Sequence, residues 1–168
     1  FRSLLSAVWI RIGCLLAVTS LAPQAPRRAS PIPHHAFSSA LMLRRIHHAA
    51  VICSNYAVSK RFYTEVLGLR VIAEHYRAER HSHKLDLALA DGSQIELFSF
   101  PNPPARPSQP EAQGLRHLAF AVADVEQCKR LLESRGVAVE PIRRDDYTGK
   151  RFVFFADPDG LPLELYEA

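Results

Sequence analysis

From residue 42 onward the chain reads as an α+β protein. Two tandem βαβββ modules, residues 45–100 and 115–167, are joined by a linker over 101–114, and their strands make a curved mixed sheet. Three observations predict this. Each half places a strand-length apolar run before one capped helix and three further strand-length runs after it. The same marks then recur at matching offsets: His48 to Asn55 spans seven residues, and so does His117 to Asp124. His48 to Gly68 spans twenty and His117 to Gly136 nineteen, while His48 to Glu96 spans 48 and His117 to Glu164 spans 47. A histidine, a cap, a glycine and a glutamate aligned twice mark an internal duplication. Between the copies, Pro101–Gly114 carries four further prolines after Pro101 and cannot build regular structure.

The elements follow in order. Arg45–Cys53 is an apolar strand. Asn55 caps a helix over Tyr56–Leu67, whose Val58, Phe62 and Val66 repeat every four residues, and Gly68 closes it. Strands are expected at Leu69–Tyr76, Lys84–Ala90 and Gln94–Phe100, the last two joined by the Asp91-Gly92 hairpin turn. In the second copy Leu115–Val122 is a strand. Asp124 caps a helix over Val125–Arg135 with Val125, Cys128 and Leu132 on one face, closed by Gly136. Val137–Arg143, Arg151–Phe155 and Leu161–Glu167 complete it, with Asp157-Pro158-Asp159-Gly160 turning into the last strand.

Residues 1–41 differ in character. They hold Arg2, Arg11, Arg27 and Arg28 and no acid, which accounts for the whole formal charge of +4. The remainder balances 17 Lys/Arg against 17 Asp/Glu, so the folded part carries no nucleic-acid footprint. The apolar run over 3–22 is interrupted by Arg11 and is marginal in length for a membrane span. A secretory signal, an organelle transit peptide, or upstream sequence ahead of a start at Met42 all fit this segment. The expectation is the last, with a cytoplasmic protein. Cys14, Cys53 and Cys128 are widely spaced and form no C-x-x-C pair, so they read as small apolar residues in a reducing compartment.

Polar residues stand out where strands are apolar. Glu164 lies between Leu163 and Leu165, and a buried carboxylate needs a partner. His48, Glu96 and His117 occupy comparable settings, and pseudo-symmetric packing of two modules brings equivalent positions together near the axis. Two imidazoles and two carboxylates make a mixed nitrogen and oxygen donor set for Zn, Ni, Co, Mn or Fe(II). Four protein ligands leave positions open on an octahedral ion, which is the condition for catalysis rather than a closed structural site. His47, next to His48, is expected on the opposite strand face, and His81 and His83 read as a solvated loop. Arg116, Lys150 and Arg151, near strand starts with Lys84 and Asp86, are candidates for anchoring an anionic group of a small-molecule substrate.

Residues 42–168 resemble the vicinal oxygen chelate superfamily, which includes glyoxalase I, fosfomycin-resistance thiol transferases, extradiol dioxygenases and bleomycin-binding proteins. The matching stretches are His48-Ala49-Ala50-Val51, Ile95-Glu96-Leu97-Phe98, Leu115-Arg116-His117-Leu118-Ala119-Phe120 and Asp157-Pro158-Asp159-Gly160-Leu161-Pro162-Leu163-Glu164-Leu165. The complete His/Glu/His/Glu set is of the glyoxalase I type. The resemblance implies one divalent metal held by His48, Glu96, His117 and Glu164. It also implies a homodimer, whose sites take their ligands from one chain or from both subunits, and a lyase or isomerase reaction on a hemithioacetal-like, α-oxygenated substrate. In that reaction an enediolate is stabilised while a metal-bound glutamate, Glu164 with Glu96 as the second catalytic carboxylate, shuttles the proton. The same scaffold also supports thiol transfer, dioxygenation or non-enzymatic drug binding. The chain shows no clear match to the residues that hold glutathione in glyoxalase I, so the substrate stays open.

Overall fold

A computed structural model describes residues 43–168, and the readings of residues 1–41 fall outside that range. The two modules fold as two four-stranded mixed sheets rather than one continuous sheet. In the first, β1 (His48–Cys53), β2 (Arg70–Arg77), β3 (Ser82–Ala88) and β4 (Gln94–Ser99) are ordered β1-β4-β3-β2. In the second, β5 (Leu118–Val122), β6 (Arg143–Arg144), β7 (Arg151–Ala156) and β8 (Pro162–Glu167) repeat that order as β5-β8-β7-β6. In both, the first strand runs parallel to the last and the remaining pairs are antiparallel. The duplication read from spacing is therefore a duplication of topology.

Each helix begins where its cap predicts. The Asn55 side chain accepts from the Val58 amide ahead of α1 (Tyr56–Arg61), and Asp124 accepts from the Gln127 amide ahead of α2 (Val125–Ser134). Beyond Arg61 the first helix widens into a π-turn over Phe62–Val66, with the Leu67 amide bonded to the Phe62 carbonyl. That extra residue per turn sets Phe62 and Tyr63 side by side in the core. Gly68 and Gly136 both adopt the left-handed region, at φ +77° and +81°, where each helix ends.

The expected strand over 137–143 is reduced to an isolated bridge, Val139 with Phe155, and the two residues of β6. Pro141 is the physical reason. It has no amide hydrogen to donate, so pairing with β7 stops and resumes only at Arg143 against Phe152.

One core serves both modules. Leu85, Leu87, Ile95 and Leu97 of the first sheet share a buried cluster with Val153, Leu163 and Leu165 of the second, closed by Phe62, Tyr63, Val125 and Leu132. Cys53 lies in this cluster, and burial pushes its thiol up to about 11, as befits an inert apolar residue. Among the described residues no helix is long and apolar enough to cross a membrane.

Candidate metal centre

Asp157 and Asp159 organise the approach to Glu164. Asp157 Oδ1 accepts from the amides of Asp159 and Leu161 at 2.9 and 2.8 Å, while its Oδ2 accepts from the Tyr63 hydroxyl at 3.0 Å. Asp159 accepts from the Ser54 amide at 3.1 and 3.2 Å and from the Ser59 hydroxyl at 3.3 Å. The turn that launches β8 is thus clasped to β1 and α1 of the other module. Burial raises the Asp157 carboxyl above its ordinary value, and its hydrogen bonds oppose that rise.

Each sheet brings one His–Glu pair together in the same register. Glu96 stands opposite Ala50, with His48 two residues earlier on β1; Glu164 stands opposite Ala119, with His117 two residues earlier. Alternation puts each histidine on the same sheet face as its glutamate. His48 Nε2 lies 3.7 Å from Glu96 Oε2, and His117 Nε2 lies 3.1 Å from Glu164 Oε2. Glu164 is buried, so the partner its position demands is His117.

The surroundings of the two pairs differ. On β3, Asp86 faces Glu96 and Lys84 faces Phe98. The Lys84 ammonium lies 2.5 Å from Asp86 Oδ1 and 3.0 Å from Glu96 Oε1, and the Asp86 carboxylate raises the Lys84 pKa above its ordinary value. The corresponding positions on β7 are Phe154 facing Glu164 and Phe152 facing Tyr166, and the ring of His117 meets Phe154 edge-on at 5.1 Å. His47 immediately precedes β1, and its carbonyl accepts from the Gln94 amide at 3.1 Å. Its Nδ1 lies 3.0 Å from His48 Nδ1.

The donor chemistry fits a borderline divalent ion. Each pair supplies one imidazole nitrogen and one carboxylate oxygen, and the buried Nδ1 of His117 has no hydrogen-bond partner. The two pairs stay apart within the chain. Among the described residues no group of three or more His, Cys, Asp or Glu side chains gathers within reach of one ion.

A cavity of about 740 Å³ opens over the second pair, walled by Arg116, His117, Arg143, Phe152, Phe154 and Glu164. Of the three expected anchors, Arg116 lines it. Arg151 points the other way, bound to Glu167 and to Glu126 of α2 at 2.6 and 3.1 Å. Lys150 lies in the turn before β7 and is not part of the wall. Arg143, which the sequence reading passed over, lies across the faces of Phe152 and Phe154 at 5.0 and 5.3 Å. Its signal was the Arg143-Arg144 pair after Pro141, legible as an exposed charge but not as a cavity wall.

Residues 45–165 match the model of the "Glyoxalase/Bleomycin resistance protein/Dioxygenase superfamily". The uncharacterized protein YwkD of Bacillus subtilis is 58% identical over 127 residues, covering 76% of this chain and 99% of that protein. The crystal structure of a glyoxalase family protein from Enterococcus faecalis superposes with a TM-score of 0.71 at 50% identity, over 76% of this chain and all of that one. A 2-epi-5-epi-valiolone epimerase from Actinomyces sp is 30% identical over 141 residues, covering 71% of this chain and 77% of that enzyme.

Proposed function

Because the chain belongs to the glyoxalase/bleomycin resistance protein/dioxygenase superfamily, we propose that it is a divalent-metal-dependent enzyme. It acts as a glyoxalase-I-like lyase or isomerase on a small α-oxygenated substrate. The observation that carries this reading is the repeated pair: His48 with Glu96 and His117 with Glu164, at matching register positions of two sheets. A bound ion of the Zn, Ni, Co, Mn or Fe(II) group supplies a Lewis acid for two neighbouring oxygens of the substrate.

The chain's own residues do the rest. His48, Glu96, His117 and Glu164 hold the ion. Glu164 takes the proton from the carbon beside the substrate carbonyl and returns it to the neighbouring carbon. Its burial beside Phe154 keeps water from competing for that proton. Glu96, already bonded to Lys84, is the poorer base and serves chiefly as a ligand. Arg116, in the cavity wall, orients an anionic group of the substrate.

A homodimer is part of this reading. Each pair offers two donors and the two pairs lie apart in one chain, so a second copy completes the set by bringing its second pair to the first pair of its partner. We place the protein in the cytoplasm.

The test is turnover. The chain loaded in turn with each candidate metal should convert the hemithioacetal of methylglyoxal and a thiol, and Glu164→Gln should convert it far more slowly. The relationship to an epimerase favours one second reading, epimerisation at a carbon next to a carbonyl, which uses the same proton transfer on a different substrate. Solvent deuterium entering a hydroxyketone without thiol would select it.

A further inference from the structure

The two modules repeat each other closely enough that a difference between them is informative, and the sharpest one lies on the β strand beside each glutamate. Relative to Glu96 and Phe98 of β4, the facing residues on β3 are Asp86 and Lys84; relative to Glu164 and Tyr166 of β8, the facing residues on β7 are Phe154 and Phe152. A charged pair in one half-site replaces two aromatic rings in the other. The Lys84 ammonium binds Glu96 Oε1 at 3.0 Å, while Oε2 of the same carboxylate is turned toward His48. Asp86 holds that ammonium at 2.5 Å, and the Phe98 ring stands 5.9 Å from it, so the cation is confined against the sheet. His75 is its register partner on β2.

We propose that Lys84 is a resident cation of the first His–Glu pair, competing with a divalent ion for Glu96 and so weakening the grip of the whole site on its metal. This rests on the metal reading above. The ammonium occupies one carboxylate oxygen, which leaves Glu96 to bind through the other alone. It also fixes a positive charge a few ångströms from where a second cation must sit, in surroundings that screen less than water. Asp86 offsets part of that charge but keeps the ammonium from swinging away. Among the described residues no Lys or Arg is ion-paired to Glu164, although Arg116 and Arg143 line the same cavity, so Glu164 is the firmer holder of the ion and Glu96 the exchangeable one.

The experiment is metal affinity of the full chain, measured by competition with a chromogenic chelator, with the visible absorption of the cobalt(II) form as a second readout. Lys84→Met is expected to bind cobalt and zinc roughly tenfold more tightly than the wild type, the scale on which groups behind metal ligands act. Its cobalt spectrum should shift as Oε1 becomes available as a donor. Lys84→Arg, which restores the cation, should bind no more tightly than the wild type. The double variant Lys84→Met/Asp86→Asn should still bind more tightly, showing that the gain comes from losing the ammonium and not from freeing Asp86. If Lys84→Met does not fold, Lys84→Gln carries the same comparison. Unchanged or weaker binding and an unchanged spectrum in a folded Lys84 variant overturn the proposal alone. A wild-type chain that takes up no divalent ion overturns it together with the metal reading.

Discussion

Glu164 and Glu96 occupy equivalent positions, yet their neighbours give them different work. Glu164 is buried between Phe154 and His117, whereas Glu96 is shared by Lys84 and His48. Glu164→Gln removes a base and a ligand together and should therefore lower kcat by at least the roughly 10²–10⁴ that a positioned general base contributes, with circular dichroism unchanged. A different carboxylate contributes to acid stability. Hydrogen bonds from Arg151 pull the Glu167 carboxyl from its ordinary 4.5 down to about 2. A lowered folded pKa means that this contribution is complete above pH 4.5 and is lost as pH falls toward 2. Urea midpoints at pH 6 and pH 3 should fall less in Glu167→Gln than in the wild type. Equal falls in the two proteins would remove Arg151 and Glu167 from the account.

At the scale of elements, the turn between β7 and β8 is the joint on which the site depends. Asp159 accepts both the Ser54 amide and the Ser59 hydroxyl from the other module, and Asp157 accepts the Tyr63 hydroxyl in the core. Asp159→Ala leaves the Ser54 amide and the buried Ser59 hydroxyl without this acceptor and should cost about 1–3 kcal/mol in denaturant unfolding. A loss within error of zero would mean the clasp is ornamental. The turn itself was legible, because Pro158 and Asp159-Gly160 are turn residues with a mechanism. Its clasp was not, since Tyr63 and Asp157 lie 94 residues apart and no local pattern joins them. The same limit explains Lys84, whose meaning depends on the β3–β4 register, and Arg151, whose face depends on where β7 begins. Strand existence followed from apolar runs, whereas the break at Pro141 decided how short β6 became.

At the scale of the whole molecule, the duplication was the most legible feature, because spacing survives any uncertainty about element ends. Where the two halves carry their pairs was not legible. The spacing left open whether the pairs meet within one chain or across two, and each pair lies at its own sheet. A homodimer that shares its sites makes a specific forecast. His48→Ala and His117→Ala chains each spoil both sites of their own dimers, but a mixed dimer has one intact site. Mixing equal amounts under conditions of subunit exchange should restore on the order of a quarter of the wild-type metal content. No restoration would place all four ligands of a site in one chain.

Elemental analysis of the purified full chain shows whether these two pairs hold a divalent ion. After loading with each of Zn, Ni, Co, Mn and Fe(II) and exhaustive dialysis, one ion should remain per chain. His117→Ala and Glu164→Gln should each retain far less. A chain that keeps no ion under any loading, or variants that keep as much as the wild type, would mean that the two pairs do not hold a metal.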